Sequence, residues 1–295
     1  MKYLGSDQNF LGLENERNYN FSSSAVVIQS LPYEHSSSCI TGSSKGPKAI
    51  ISASHFVEFY DEELDKETCF EKGICTLPIT DFEGIVNEAA MNIIEKQTAN
   101  LLAENKFIVS FGAEHTISYG IIKAFNNKFK DISVLQIDAH SDLRSAYQGS
   151  KWSHASVMAR VHELGIPLTQ IGIRAQCKEE TELIKKSKNI HTFYNHQLYN
   201  NIEWMQKAVD TLQDDVYISI DADGFDPAIM PAVGTAEPGG LKWQESIEFF
   251  KLVFAQKNVL GFDIVECAPK EGEILTEFNL AKLAYKLIGL KYIKK

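Results

Sequence analysis

Residues 133–142, SVLQIDAHSD, join an apolar run directly to a turn crowded with charged side chains. A short continuous apolar run of this kind is typical of a strand buried on both faces of a parallel sheet. Similar runs recur along the chain, separated by amphipathic segments of helical length. This alternation predicts an α/β fold with helices on both faces of a mainly parallel sheet. The predicted strands span residues 25–29, 107–111, 133–138, 169–173, 216–221 and 259–265. The predicted helices span residues 46–59, 82–103, 117–129, 153–164, 202–212, 243–255 and 276–288.

Composition narrows the class of protein. The chain has 295 residues, of which 44% are hydrophobic and 23% charged, as expected for a globular protein with a large core. Short connections leave no place for a linker, so we expect one domain over residues 1–295. A net charge of -10 argues against nucleic acid or an anionic membrane as partner. No apolar run is long enough to span a bilayer, and five scattered cysteines favour reduced thiols, so we expect a cytoplasmic protein.

The acidic turn of the opening stretch predicts a metal site. In extended chain, side chains at alternate positions share one face, so Asp138, His140 and Asp142 converge. Two carboxylates and an imidazole crowded together repel or stay unsatisfied unless a cation joins them. The alternative is a turn with solvated aspartates in which Asp142 caps a helix.

Three further strand ends carry polar groups, and ligand sites of parallel sheets lie at the carboxyl ends of their strands. Asp221 and Asp223 follow one strand, His115 lies in the GAEHT turn after another, and Glu266 ends the last. Taken singly, each has a structural reading: an acidic turn, a loop histidine and an edge glutamate paired with lysine. With Asp138, His140 and Asp142, these segments supply two histidines and four aspartates, too many for one tetrahedral zinc. Carboxylate oxygens with imidazole suit two Mn²⁺ or related ions, which indicates metal-assisted hydrolysis.

Longer motifs, in the same order along the chain, resemble the ureohydrolases, the arginase and agmatinase family. They are GAEHT at 112–116, DAHSD at 138–142, SIDADGFDPAIMPAVGTAEPGGL at 219–241 and DIVECAP at 263–269. The resemblance covers most of the chain. It implies a three-layer α/β/α sandwich with a mainly parallel sheet of about eight strands.

The resemblance also implies roles. One manganese ion would be held by His115, Asp138, Asp142 and Asp221, and the other by His140, Asp138, Asp221 and Asp223. In that family a metal-bridging hydroxide attacks the guanidinium carbon to give urea and an amine. Asp142 would orient the hydroxide, Glu266 would pair with the guanidinium, Thr235 would line the pocket, and His154 would pass a proton to the leaving amine. Ni²⁺ or Co²⁺ would accept the same ligands.

Residues 143–154, LRSAYQGSKWSH, resemble the wording of agmatinase-like members, so the expected reaction converts agmatine to putrescine and urea. Arg144 and Lys151 are expected in surface ion pairs; in the pocket they would favour a substrate with a carboxylate. The alternatives are guanidinobutyrase, arginase, guanidinase or formimidoylglutamase activity, and a non-catalytic polyamine-binding protein. A single-zinc deacetylase-like hydrolase would need a paired-histidine motif, which we do not find.

Some positions depart from the usual family wording. Ala113 and Glu114 replace a Gly-Asp pair, Ala236 replaces a frequent proline, and Cys267 is expected to be a packed small residue. Resembling enzymes are homotrimers or homohexamers, so we expect one of these assemblies. Among residues near the N-terminus, Tyr3, Phe10 and Leu11 are expected to pack on a neighbouring subunit.

Overall fold

The computed structural model describes residues 1–199 and 201–293. Its centre is a sheet of eight strands in which every neighbouring pair is parallel. The strands are β1 (Val26–Leu31), β2 (Ile74–Thr76), β3 (Phe107–Gly112), β4 (Ile132–Ile137), β5 (Leu168–Ile173), β6 (Ile190–Tyr194), β7 (Asp215–Asp221) and β8 (Asn258–Val265). Their order across the sheet is β2-β1-β3-β8-β7-β4-β5-β6. The central strands β3, β8, β7 and β4 are therefore consecutive neighbours.

Helices cover both faces of this sheet. They are α1 (Gly46–Ser54), α2 (Thr68–Lys72), α3 (Glu88–Ala103), α4 (Ser118–Lys128), α5 (Val157–Glu163), α6 (Lys178–Lys186), α7 (Asn195–Leu198), α8 (Glu203–Asp210), α9 (Trp243–Gln256) and α10 (Leu275–Lys291). Side chains of β1 alternate between two cores: Val26 and Ile28 belong to the core that includes residues of α1, α8, α9 and α10, and Val27 belongs to the core that includes residues of α3, α4 and α5. The predicted three-layer α/β/α sandwich with about eight strands is confirmed.

The six predicted strands are all present, and two edge strands, β2 and β6, were missed. Strand β2 has three residues, and β6 is half-exposed with polar side chains, so neither forms a long apolar run. The helix predicted over residues 82–103 begins later, at Glu88, because Asn87 has a left-handed φ of 55°. The helix predicted over residues 46–59 ends at Ser54.

The N-terminal residues behave differently from our expectation. Phe10 and Leu11 are buried in this chain's own core, so they do not form a surface for a neighbouring subunit. Tyr3 donates a hydrogen bond to Glu16 within the same chain. Over residues 1–199 and 201–293, the helices are all too short or too polar to cross a bilayer.

Candidate metal centre and active site

The predicted site residues gather at the carboxyl edge of the four central strands. His115 follows β3, Glu266 follows β8, Asp221 ends β7, and Asp138 follows β4. Because these strands are neighbours, residues far apart in sequence meet in a small volume. The remaining members, His140, Asp142 and Asp223, lie in the turns immediately beyond β4 and β7.

The first cluster surrounds the Nδ1 atom of His115. This atom lies 3.1 Å from Asp138 Oδ2, 3.0 Å from Asp142 Oδ2 and 3.4 Å from Asp221 Oδ2. It is buried and has no partner in hydrogen-bonding geometry. The other ring nitrogen, Nε2, lies 2.9 Å from the hydroxyl of Ser219, which fixes the ring with Nδ1 facing the carboxylates.

The second cluster surrounds His140. Its Nδ1 atom lies 2.9 Å from Asp223 Oδ2 and 3.8 Å from Asp138 Oδ1. Asp138 thus belongs to both clusters and presents one oxygen to each histidine. Among the described residues, two groups have the spacing to hold a metal ion: His115, Asp138 and Asp142, and Asp138, His140 and Asp223.

Backbone hydrogen bonds hold these carboxylates in place. Asp138 Oδ1 accepts a hydrogen bond from the His140 amide at 2.6 Å, and Asp221 Oδ1 accepts one from the Asp223 amide at 2.9 Å. Asp142 has a left-handed φ of 54°, and its carbonyl accepts hydrogen bonds from two amides in the first turn of α5. Backbone amides therefore hold the Asp138 and Asp221 carboxylates without help from a ligand.

The carboxylates of the clusters favour protonation of both histidines. Burial opposes a charge on His115, but the adjacent carboxylates of Asp138, Asp142 and Asp221 raise its pKa well above the ordinary value. Burial likewise opposes a charge on His140, and the Asp223 carboxylate raises its pKa to about 11.

The pKa values of two cluster carboxylates, Asp138 and Asp221, are raised, whereas that of Asp223 is lowered by its contact with His140 despite burial. Burial, with the nearby Asp142 and Asp223, raises the pKa of Asp138 to about 7. Burial, with Asp223 and Asp138, also raises the pKa of Asp221 well above its usual range. Divalent cations would neutralise these carboxylates, and they would use the histidine lone pairs that protons otherwise occupy. The donor set of imidazole nitrogens and carboxylate oxygens therefore fits such ions.

Glu266 lies beside the first cluster. Its Oε1 atom accepts a hydrogen bond from the His115 amide at 2.8 Å, and its φ of 62° is left-handed. Burial and the nearby Glu114 raise the pKa of Glu266 well above its usual range. Thr235 donates a hydrogen bond to Asp223 Oδ2 at 3.3 Å. A cation placed beside Glu266 would restore its ionised form.

A cavity of about 540 Å³ opens over the clusters. His154 lines it from the start of the segment leading to α5, with its ring held by Ser36 of the loop after β1. Seven of the nine predicted site residues line the cavity: His140, Asp142, His154, Asp221, Asp223, Thr235 and Glu266. The other two, His115 and Asp138, lie buried beneath it and contact Asp142 and His140.

The prediction of surface ion pairs for Arg144 and Lys151 is wrong. Within the described ranges neither residue forms a salt bridge, and each cation lies over an aromatic ring instead. The Arg144 guanidinium is 5.4 Å from the centre of the Tyr147 ring, and both residues line the cavity. Lys151 lies over Trp152 and does not line the cavity.

Sequence reasoning missed Arg174, which follows β5. Its guanidinium donates to the carbonyls of Asp223 at 2.6 Å and Glu237 at 3.0 Å, and its Nε donates to that of Pro238 at 3.1 Å. Arg174 thereby joins the turn after β7 to the glycine-rich loop that carries Thr235. Its position just beyond a predicted strand was the available signal.

The residues that depart from the usual family motifs do not disturb the two histidine–carboxylate clusters. Cys267 is fully buried in the core, and burial raises the pKa of its thiol, as expected of a packed small residue. Glu114 is fully buried, and it contacts the loop that carries Ser36. Ala236 is exposed.

Comparisons with known proteins agree with this geometry. A sequence model of the arginase family matches residues 24–289. An N(1)-aminopropylagmatine ureohydrolase from Synechocystis sp. is 40% identical over 98% of this chain and 95% of its own. An agmatinase from Pyrococcus horikoshii is 32% identical over 90% of this chain and 91% of its own. The crystal structure of the agmatine ureohydrolase of Thermoplasma volcanium has a TM-score of 0.79 and 27% identity, with 99% of this chain and 94% of that chain covered.

Proposed function

This chain belongs to the arginase family of ureohydrolases, and we propose that it hydrolyses the guanidinium group of agmatine, or of its N-aminopropyl derivative, to urea and an amine. Agmatine would give putrescine, and the longer substrate would give spermidine. One observation carries the proposal: two histidine–carboxylate clusters share Asp138 on the floor of a cavity whose wall holds Glu266.

The residues fit a pair of divalent cations. His115, Asp138, Asp142 and Asp221 would hold one ion, and His140, Asp138, Asp221 and Asp223 the other, with Mn²⁺ as the proposed metal and Ni²⁺ or Co²⁺ as alternatives. When bound, such ions supply Lewis acidity and lower the pKa of water towards neutrality. The unpartnered Nδ1 atom of buried His115 is the observation that supports this fit.

The remaining residues act on the substrate. Glu266, anchored by the His115 amide, would receive the guanidinium and hold its carbon against the clusters. Asp142 would orient the attacking water through its carboxylate. His154, at the cavity wall, would donate a proton to the leaving amine, which cannot depart as an anion.

The residues of the outer cavity would determine which substrate tail is preferred. Glu237 is partly exposed at the cavity wall and would attract an amine. The Synechocystis relative is named for N(1)-aminopropylagmatine, which favours the longer substrate as a second candidate. Arg144 also lines the cavity, and it would favour a carboxylate tail if it left the Tyr147 ring.

The proposal is tested by urea release from the manganese-loaded protein. The panel comprises agmatine, N-aminopropylagmatine, arginine, guanidinobutyrate and guanidine, with formimidoylglutamate followed through formamide. We expect kcat/KM to be highest for one of the first two compounds. Highest activity with guanidinobutyrate or arginine would refute the proposal that the tail of the substrate is purely cationic. No release from any compound, with two ions bound per chain, would overturn the hydrolytic function.

Light scattering of the same preparation tests the proposed assembly. We expect a homotrimer or a homohexamer, as the sequence resemblance implies. A monomer with full activity would contradict this expectation and leave the proposed reaction intact.

A further inference from the structure

Glu114 is a buried carboxylate that the proposed reaction does not use. It lies between Ala113 and His115 and is fully buried. Its Oε2 atom accepts hydrogen bonds from the amides of His35 at 3.0 Å and Ser36 at 2.6 Å. It lies 3.1 Å from the Ser36 hydroxyl, while its other oxygen, Oε1, has no partner. The carboxylate thus anchors the loop whose next residues line the cavity.

The Ser36 hydroxyl links this carboxylate to His154. Besides Glu114, the oxygen lies 3.0 Å from the His154 amide nitrogen and 3.0 Å from Nδ1 of the His154 ring. A hydroxyl has one hydrogen to donate and two lone pairs to accept with. All three contacts of this oxygen are therefore accounted for by one donated and two accepted hydrogen bonds.

The roles in this set of contacts are determined by the fixed partners. An amide N–H can only donate, so one lone pair of Ser36 accepts from His154 N–H. Glu114 Oε2 already accepts from two backbone amides, so it is an acceptor oxygen and the Ser36 hydrogen points to it. Only a lone pair then remains for the ring, and Nδ1 of His154 must carry a hydrogen. The reverse tautomer would leave two acceptors facing each other at one of these contacts.

We propose that Glu114 is a positioning residue, which acts through Ser36 to hold His154 in the tautomer with hydrogen on Nδ1. This inference rests on the proposed function, in which His154 is the proton donor. The exchanging nitrogen is then Nε2, on the side of the ring where Ser38 lies 3.5 Å away and lines the cavity. When the ring is protonated, both nitrogens carry hydrogen, and the Nε2 proton passes to the leaving nitrogen as the carbon–nitrogen bond breaks, with the electron pair of that bond staying on nitrogen. The neutral ring keeps its Nδ1 hydrogen, and water restores the proton on Nε2.

The length of Glu114 matters to this arrangement. An aspartate would be shorter by one carbon–carbon bond, roughly 1.5 Å, and would withdraw from Ser36 out of hydrogen-bonding range. The glutamate in GAEHT therefore has a role in this chain: it reaches across to the loop after β1. Tyr147 faces the ring of His154, with 5.6 Å between the ring centres, and Arg144 lies over the Tyr147 ring. Neither contacts Nδ1.

The test reads the tautomer directly. Long-range ¹H–¹⁵N spectra of the full-length chain with ¹⁵N-labelled histidine, recorded with and without diamagnetic Zn²⁺, report which ring nitrogen carries hydrogen. The His154 signals are assigned by their loss in His154→Asn. We expect hydrogen on Nδ1 in the unaltered protein and a mixture of tautomers in Ser36→Ala. The Ser38→Ala variant, altered in the same loop, should keep the original tautomer.

Variants of Glu114 complete the experiment. Glu114→Ala removes the acceptor, so Ser36 is free to donate to Nδ1 and the tautomer should switch. Glu114→Gln keeps an acceptor oxygen and should restore the original tautomer. With the best guanidino substrate, Ser36→Ala should lower kcat about 10–100-fold with little change in KM, as part of the roughly 10²–10⁴-fold that a placed proton donor supplies.

The outcomes separate this inference from the proposed function. Hydrogen on Nε2 in the unaltered protein, or an unchanged tautomer in Ser36→Ala, would overturn the positioning role even if the enzyme is active. If no compound releases urea but the tautomer responds as expected, the hydrolytic function fails and the positioning role stands. The spectrum of the unaltered protein is decisive even if a variant does not fold.

Discussion

Replacing Ser219 with alanine should weaken the binding of divalent metal about 10–100-fold. The Ser219 hydroxyl accepts a hydrogen bond from Nε2 of His115 at 2.9 Å and donates one to Asp263 Oδ1 at 2.8 Å. This chain of contacts keeps the hydrogen of His115 on Nε2 and directs the lone pair of Nδ1 towards Asp138. Removing such an outer partner typically costs 10–100-fold in metal affinity, which is about 1.4–2.8 kcal/mol. Calorimetric titration of the metal-free protein with Mn²⁺ measures the change.

Tyr217→Phe is the matched control for Ser219→Ala. The Tyr217 hydroxyl donates to the other oxygen of Asp263, at 2.8 Å, and has no contact with His115. Each variant removes one buried hydrogen bond to the same carboxylate, so each should lose about 1–3 kcal/mol of unfolding free energy in urea. Only Ser219→Ala should also lose metal affinity. Equal dissociation constants for the two variants would refute the proposed role of Ser219.

Three further predictions concern the site. Gly224→Ala should impair both folding and metal binding, because the new Cβ would lie 2.7 Å from the Asp138 amide nitrogen. Thermal unfolding measures the effect on folding. Gly5→Ala is the control, because the nearest atom to its Cβ would be a side-chain atom 3.4 Å away. Metal affinity should rise from pH 6.5 to 9, because the pKa of His140 is raised to about 11 and the ring must release its proton when metal binds. Calorimetric titrations in buffers of different ionisation enthalpy should detect this proton release. An affinity that does not change with pH would contradict the prediction. Glu266→Gln should keep both metal ions but lose about two orders of magnitude in kcat/KM. The substrate guanidinium would be left without its carboxylate, and an unpaired buried cation costs roughly 2–5 kcal/mol. Near-native turnover would disprove the contact between Glu266 and the guanidinium.

The central part of the fold was predictable because each inner strand is buried on both faces and reads as an apolar run. Strand β6 has the sequence IHTFY and a half-exposed edge position, so its pattern does not differ from that of a loop. Similarly, the apolar residues Phe82, Ile85 and Val86 extended the helical pattern of α3, although Asn87 in a left-handed conformation separates them from it. Periodicity detects burial on a regular element, and it gives little information about backbone breaks or exposed edges.

The proposed metal ligands were predictable for a related reason. Each follows a strand that the sequence revealed, and parallel strands bring their carboxyl ends to one edge. Contacts between loops had no such signal. Ser36 meets His154 across 118 residues, and the Arg174 guanidinium meets the Glu237 carbonyl across 63. Both contacts depend on the path of loops that have no hydrophobic period, so only the three-dimensional structure brought these partners together.

The strained residues indicate how the site is organised. Asp142 and Glu266 both have left-handed φ values, which cost an ordinary residue of order 1–3 kcal/mol. In each case hydrogen bonds accompany the strained backbone: the Asp142 carbonyl accepts from two amides of α5, and the Glu266 carboxylate accepts from the amide of His115. The carboxylates of Asp138, Asp221 and Glu266 are held by backbone amides, contacts that metal and substrate do not supply. Such a site is arranged before its ligands arrive, so their binding energy remains available for the reaction itself.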